Sequence, residues 1–146
     1  MNELFFPILD EAGWYENRSM DIEYELESLR REGFTEPNEA IKSLLKEFGN
    51  IRIAFKLPSG AVSDIILNVE LAIGFYDTDA NRIYERWAQE VLIPVGVLHF
   101  ETSIILVSLN LNFYMIVERQ LYLVANSFEG FLDAIICERQ MYKFGH

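Results

Sequence analysis

Apolar residues recur along the chain with two periods, and the change from one to the other divides it. Over the first fifty residues the spacing is helical. A short apolar segment from Leu4 to Leu9 ends near Gly13. A second helix is predicted over 21–32, where Ile22, Leu26 and Leu29 recur at three- and four-residue steps and Gly33 supplies the stop. The acids Glu23, Glu25 and Glu27 are placed away from that stripe or beside it. A third helix is predicted from Pro37, where a missing N–H is harmless, to Gly49, with Ile41, Leu44, Leu45 and Phe48 on one face.

From Ile51 the period drops to two. Ile51, Ile53, Phe55 and Leu57 alternate with Arg52, Ala54 and Lys56 up to Pro58-Ser59-Gly60, so a half-buried strand opens a hairpin. Its partner is predicted over 62–70, with Ile65, Leu67, Val69 and Leu71 on one side, and a helix over 80–91 burying Ile83, Trp87 and Val91 follows. Four strands are predicted next, over 94–100, 103–108, 112–117 and 121–125. Among them Ile104-Ile105-Leu106-Val107 is apolar on both faces, which places it centrally, with helices covering one side. A last helix opens at Asn126-Ser127 and aligns Phe128, Phe131, Leu132, Ile135 and Ile136. Sequential hairpins with helices gathered towards the chain ends predict an α+β fold: a mostly antiparallel sheet of about six strands, helices on the N-terminal side, one mid-chain helix and a C-terminal helix.

At 146 residues and 51% hydrophobic, the chain suits a single domain over 1–146 whose core needs no disulfide or metal staple. Charge changes the picture more. Twelve Lys and Arg stand against 23 Asp and Glu, a net charge of −11, and such a field repels phosphate backbones, so direct nucleic-acid binding is not expected. Residues 1–39 carry 11 of the acids but only Arg18, Arg30 and Arg31 as bases, so most of the field arises in the first quarter. The lone Cys137 cannot close an internal disulfide, the first residues lack a basic, then apolar leader, and the apolar run 91–100 is about half of what a bilayer requires. A cytoplasmic location without a membrane span is therefore expected.

Chemical signatures are sparse. There is no GxGxxG, Walker loop or GxSxG, and no cofactor is expected. Cys137, His99 and His146 are too few and too scattered for zinc. His99 beside Glu101 can be written as a base with an orienting carboxylate, which leaves a small hydrolase or isomerase as an alternative; a hydrogen-bonded structural histidine is the preferred reading. Cys137 reads as a packed thiol. Asp77-x-Asp79-x-Asn81 starts like a calcium loop, but Arg82 stands where the loop needs Gly and Ala88 where it needs the bidentate acid. Asp79 is read instead as the cap of a helix starting at Ala80, with Asp77 favoured by the same helix end. On the second helix Glu27 can pair with Arg30 and Arg31 as an ordinary solvated face, whereas Tyr24 among acids suits a protein interface.

Two stretches carry a resemblance. Gly13-Trp14-Tyr15-Glu16-Asn17-Arg18, followed by a helix from Asp21 to Glu32-Gly33-Phe34, resembles the opening of the third family of the SUKH superfamily, immunity proteins of bacterial polymorphic toxin systems. Ile93-Pro94-Val95-Gly96, the hairpin through Phe113-Tyr114, and the run from Leu121 to Phe128 into the last helix are similar to its closing part. Asn17 stands where members have Gly, a substitution that Asn tolerates because it accepts a positive φ. At the later hairpin Asn110-Leu111-Asn112 replaces an acid followed by Gly, which leaves the turn type open.

The resemblance implies an α+β fold, no enzymatic activity, and binding to a cognate toxin domain, often a nuclease. A basic nuclease cleft and an acidic protein are complementary, which selects Asp21, Glu23, Tyr24, Glu25 and Glu27 as the candidate partner-binding surface and Asp77 and Asp79 as a second patch. The alternative is a non-enzymatic regulatory or adaptor module of the same fold. Trp14 either packs the first helix or touches the partner, and the oligomeric state stays open.

Overall fold

The computed structural model describes residues 3–98 and 102–144. After a 3-10 turn, helix α1 (Phe6–Ala12) leads through a loop to α2 (Glu23–Arg31) and α3 (Glu39–Phe48). The hairpin β1 (Arg52–Lys56) and β2 (Val62–Ile66) is followed by α4 (Val69–Phe75), a 3-10 turn over Thr78–Ala80 and α5 (Asn81–Ala88). The chain then runs through β3 (Leu92–Leu98), β4 (Ser103–Ser108), β5 (Phe113–Val117), β6 (Gln120–Ala125), α6 (Phe128–Ile136) and β7 (Tyr142–Lys143). All seven strands form one sheet in sequence order, every neighbouring pair antiparallel. The fold is α+β as the pattern predicts, with a two-residue edge strand that the periodicity does not reveal.

Helices cover both faces of the sheet, not one. Ile53, Ile65, Ile105, Val107 and Phe113 face a core built with α1, α2, α3 and α6, while Leu92, Val97, Ile104, Leu106, Tyr114 and Ile116 face a second core with Tyr76 and Tyr84. The alternating side chains of β4 therefore divide between the two cores, which is why its whole run is apolar; it is the fourth of seven strands, as its composition predicts.

Three local readings need correction. The segment predicted as strand over 62–70 is extended only to Ile66, and Val69–Phe75 is helical. The Asn68 side chain accepts the Leu71 N–H at 2.8 Å and nucleates α4, whose Val69, Ala72 and Tyr76 point inwards at helical steps. α5 is shorter than 80–91 and rolled by one position: Asn81 and Tyr84 are buried, Ile83 is 45% exposed, and Trp87 and Val91 are half-buried. α3 starts two residues after Pro37, because Asn38 is the cap: its Oδ1 accepts the Ile41 N–H and its Nδ2 donates to the Leu109 carbonyl at 2.7 Å.

Pro94 lies inside β3, a position a proline tolerates because β2 pairs only with Val97 and Leu98 and has already diverged there. A bulge follows between Pro94 and Gly96, and a Cβ at Gly96 would stand 2.3 Å from the Ile66 carbonyl oxygen, so the close approach of the β2 end requires glycine. In the β4–β5 hairpin Leu111 takes φ +59, the place a glycine usually fills, and its side chain packs against the first core.

Candidate functional site

α2 presents the acidic surface. The Asp21 carboxylate accepts the Glu23 N–H at 3.0 Å and starts the helix, while Glu23 and Glu25 in its first turn and Arg30 and Arg31 in its last suit the helix dipole. Asp21, Glu23 and Glu27 are exposed, and Tyr24 stands 64% exposed among them. Arg30 grips Glu36 with two hydrogen bonds of 3.0 and 2.9 Å, which holds the Glu36 carboxyl below its ordinary value, and Arg31 lies 3.8 Å from Glu70. Neither arginine forms an ion pair with Glu27 among the described residues, although Arg30 still feels the charges of Glu23 and Glu27 as well as that of Glu36.

Glu25 does not belong to that face. It is buried, its Oε1 accepts a hydrogen bond from Asn50 Nδ2 at 3.3 Å, and Asn50 in turn accepts from Asn68 Nδ2 at 2.9 Å. These contacts tie α2 to the approach to β1 and to the cap of α4. The other Glu25 oxygen is buried without a hydrogen-bond partner.

Asp77 and Asp79 are exposed in the turn between α4 and α5, but neither side chain caps a helix, and Ala80 at the α5 N-cap has none to offer. Asn81, third in the calcium-like spacing, is turned inwards, accepting from the Tyr76 hydroxyl at 2.6 Å and donating to the Leu92 carbonyl. No group of three metal-ligating side chains is found among the described residues. A cleft of about 490 Å³ joins the α2 end, through Glu32 and Phe34, to Asp79 and Glu85, so of the second patch only Asp79 shares a concavity with one end of the acidic helix. Asp77 opens on a different side, with Tyr84, Trp87 and Arg119. Burial pushes the Tyr84 hydroxyl up, with Asp77 adding to the shift and Arg119 opposing it.

The stretch from Gly13 to Arg18 has a structural role. The Trp14 ring stacks on Phe6 and Phe48 at centroid distances of 5.8 and 6.3 Å, and its N–H donates to Glu47 Oε2 at 3.0 Å. Arg18 donates to the Glu47 carbonyl at 2.7 Å, placing a cation at the C-terminal end of α3, and Asn17 takes φ +65 as its replacement of glycine requires. These residues clamp the α1–α2 loop onto α3. A family model described as SUKH-3 immunity protein matches residues 2–138.

The chain belongs to the SUKH-3 immunity protein family. Membership supports an immunity function and a non-enzymatic role. No curated protein and no solved structure matches the chain. Among the described residues no helix is long and apolar enough to cross a membrane. The His99–Glu101 pair lies outside the described residues. Cys137, read as a packed thiol, is exposed at the end of α6; what burial it retains and the nearby Asp133 carboxylate push its pKa up, which makes it a poorer nucleophile. Sequence reasoning missed Glu32, Tyr84, Trp87 and Arg119 as surface elements; the alternative helical stripe through Asn81, Tyr84 and Ala88 was the available signal for α5.

Proposed function

We propose that this SUKH-3 protein binds a cognate toxin domain in the cytoplasm and neutralises it, that the toxin is a basic nuclease of a polymorphic system, and that the acidic outer face of α2 occupies its phosphate-gripping cleft. Family membership over residues 2–138 carries the reading. Supporting the choice of surface, Asp21, Glu23 and Glu27 are exposed beside Tyr24, while Arg30 and Arg31 are turned to other acids. Asp77 and Asp79 form the second contact region. A chain of net charge −11 is drawn quickly to a basic cleft, and long-range attraction acts mostly on the association rate.

The test is surface plasmon resonance against the cognate toxin domain, identified by its co-purification with this chain. Glu23→Lys with Glu27→Lys is expected to weaken binding by about 100-fold, largely through slower association. Raising salt from about 0.05 to 0.5 M should slow association of the unaltered protein in the same way. Unchanged affinity in the double variant would remove α2 from the interface.

A further inference from the structure

On the α5 side, away from the outer face of α2, two adjoining depressions of about 470 and 170 Å³ share Asp77, Tyr84 and Arg119. Ile83, 45% exposed, and Trp87 wall the larger one, and Phe75, 55% exposed, borders the smaller. Tyr84 is 6% exposed, its ring stacked on Tyr76 and set edge-on to Trp87 at 5.5 Å. Tyr84 lines both depressions, and its hydroxyl makes no hydrogen bond among the described residues, whereas the Tyr76 and Tyr114 hydroxyls are bonded to Asn81 and Glu90. Asp77 and Arg119 likewise form no ion pair among the described residues, although both line the same space.

The Tyr84 ring is packed away while its hydroxyl keeps access to solvent, so it is a donor and acceptor free to bond a guest. Trp87 and Ile83 offer apolar surface suited to a flat cation and its methylene stem, and Asp77 offers the opposite charge. The lining holds two carboxylates, Asp77 and Glu118, against the single guanidinium of Arg119, so a cation is the complementary guest. We propose that this groove is an anchor site for an arginine of the partner protein, with the guanidinium over Trp87 and hydrogen-bonded to Asp77 and the Tyr84 hydroxyl, and with a main-chain carbonyl of the partner accepting from Arg119. The site deepens the toxin-binding reading and rests on it for the nature of the partner; the local chemistry stands by itself.

The chain has two tryptophans, so its indole N–H region gives two reporters, with Trp14 held on Glu47 as the internal reference. Titration of the full chain with Nα-acetyl-arginine amide, followed by ¹⁵N-¹H NMR, is expected to shift the Trp87 signal saturably in the millimolar range and leave Trp14 in place. Asp77→Asn should weaken this binding at least tenfold and Tyr84→Phe severalfold, each retaining the rest of the spectrum, while Nα-acetyl-norleucine amide should not move Trp87. The proposal is overturned if Trp87 does not shift saturably, if the norleucine amide shifts it equally, or if Asp77→Asn leaves the titration unchanged. Failure of the probe alongside tight toxin binding would discard the groove and keep the immunity reading. A working groove without toxin binding would do the reverse.

Discussion

Glu25 sits three residues after Ile22 and four before Leu29, which are helical steps that put it within the apolar stripe and not beside it. An acid there invites assignment to the charged face, and only the Asn50 and Asn68 contacts show what holds it inside. Glu25→Gln keeps an oxygen for Asn50 to bond and puts an amide of nearly the same shape where one carboxylate oxygen is buried without a partner. Urea unfolding should find this variant within about 1 kcal/mol of the unaltered protein or more stable, and its toxin affinity should be unchanged, in contrast to substitution of Glu23 and Glu27. The reason Trp14 recurs in the resemblance also lies at this scale: its stacking on Phe6 and Phe48 explains a signature residue without a partner.

Among the elements, those with one clean period were legible and those where two periods overlap were not. The stripe of α3 and the two-sided apolar run of β4 each admit a single reading. At 65–71 the alternation Ile65, Leu67, Val69, Leu71 mimics a strand, while Val69, Ala72, Ile73 and Tyr76 fit a helix, and the Asn68 cap decides between them. In α5 the more hydrophobic Ile83 drew the choice away from Tyr84, yet Tyr84 buries its ring against Tyr76 and Trp87 and leaves only the hydroxyl at the groove. The β5–β6 turn carries Glu118 and Arg119 at φ +50 and +65, conformations that Asn and Gly accept more readily. Glu118→Asn with Arg119→Gly should therefore raise stability by about 1 kcal/mol, measured by thermal unfolding; no gain would mean the turn is relaxed by contacts that the backbone angles do not express.

Glu90 links two elements and gives the fold a pH signature. Burial disfavours its charge, but hydrogen bonds from Tyr114, Asn112, Ser108 and Asn110 outweigh that and hold the carboxyl below its ordinary value of 4.5. A carboxyl lowered in the folded state stabilises the protein fully above its ordinary value, and the benefit is lost as the pH falls through the lowered one. Glu90→Gln should be less stable than the unaltered chain at pH 7, with the gap closing as the pH drops below 4.5. A gap independent of pH would show that packing, not charge, links α5 to the β4–β5 hairpin.

For the whole molecule, the α+β class and the meander of strands could be read from the sequence, because each hairpin strand carries its own period. The second helical layer was hidden by the misread stretch from 67 to 88. The candidate surface was legible only in part: charge identified α2, but charge alone does not separate Glu25 inside from Glu23 outside, and the groove at Tyr84 depends on residues brought together from α4, α5 and the β5–β6 turn. The uneven distribution of a −11 charge makes association with a basic partner the expected molecular behaviour. The most direct measurement is bacterial growth with the toxin domain that co-purifies with this chain expressed, with and without the chain. The account predicts arrested growth with the toxin alone, restored growth when the chain is present, and loss of that rescue with Glu23→Lys and Glu27→Lys together. Arrest that persists beside abundant, folded chain would contradict an immunity function and favour the adaptor reading of the same fold.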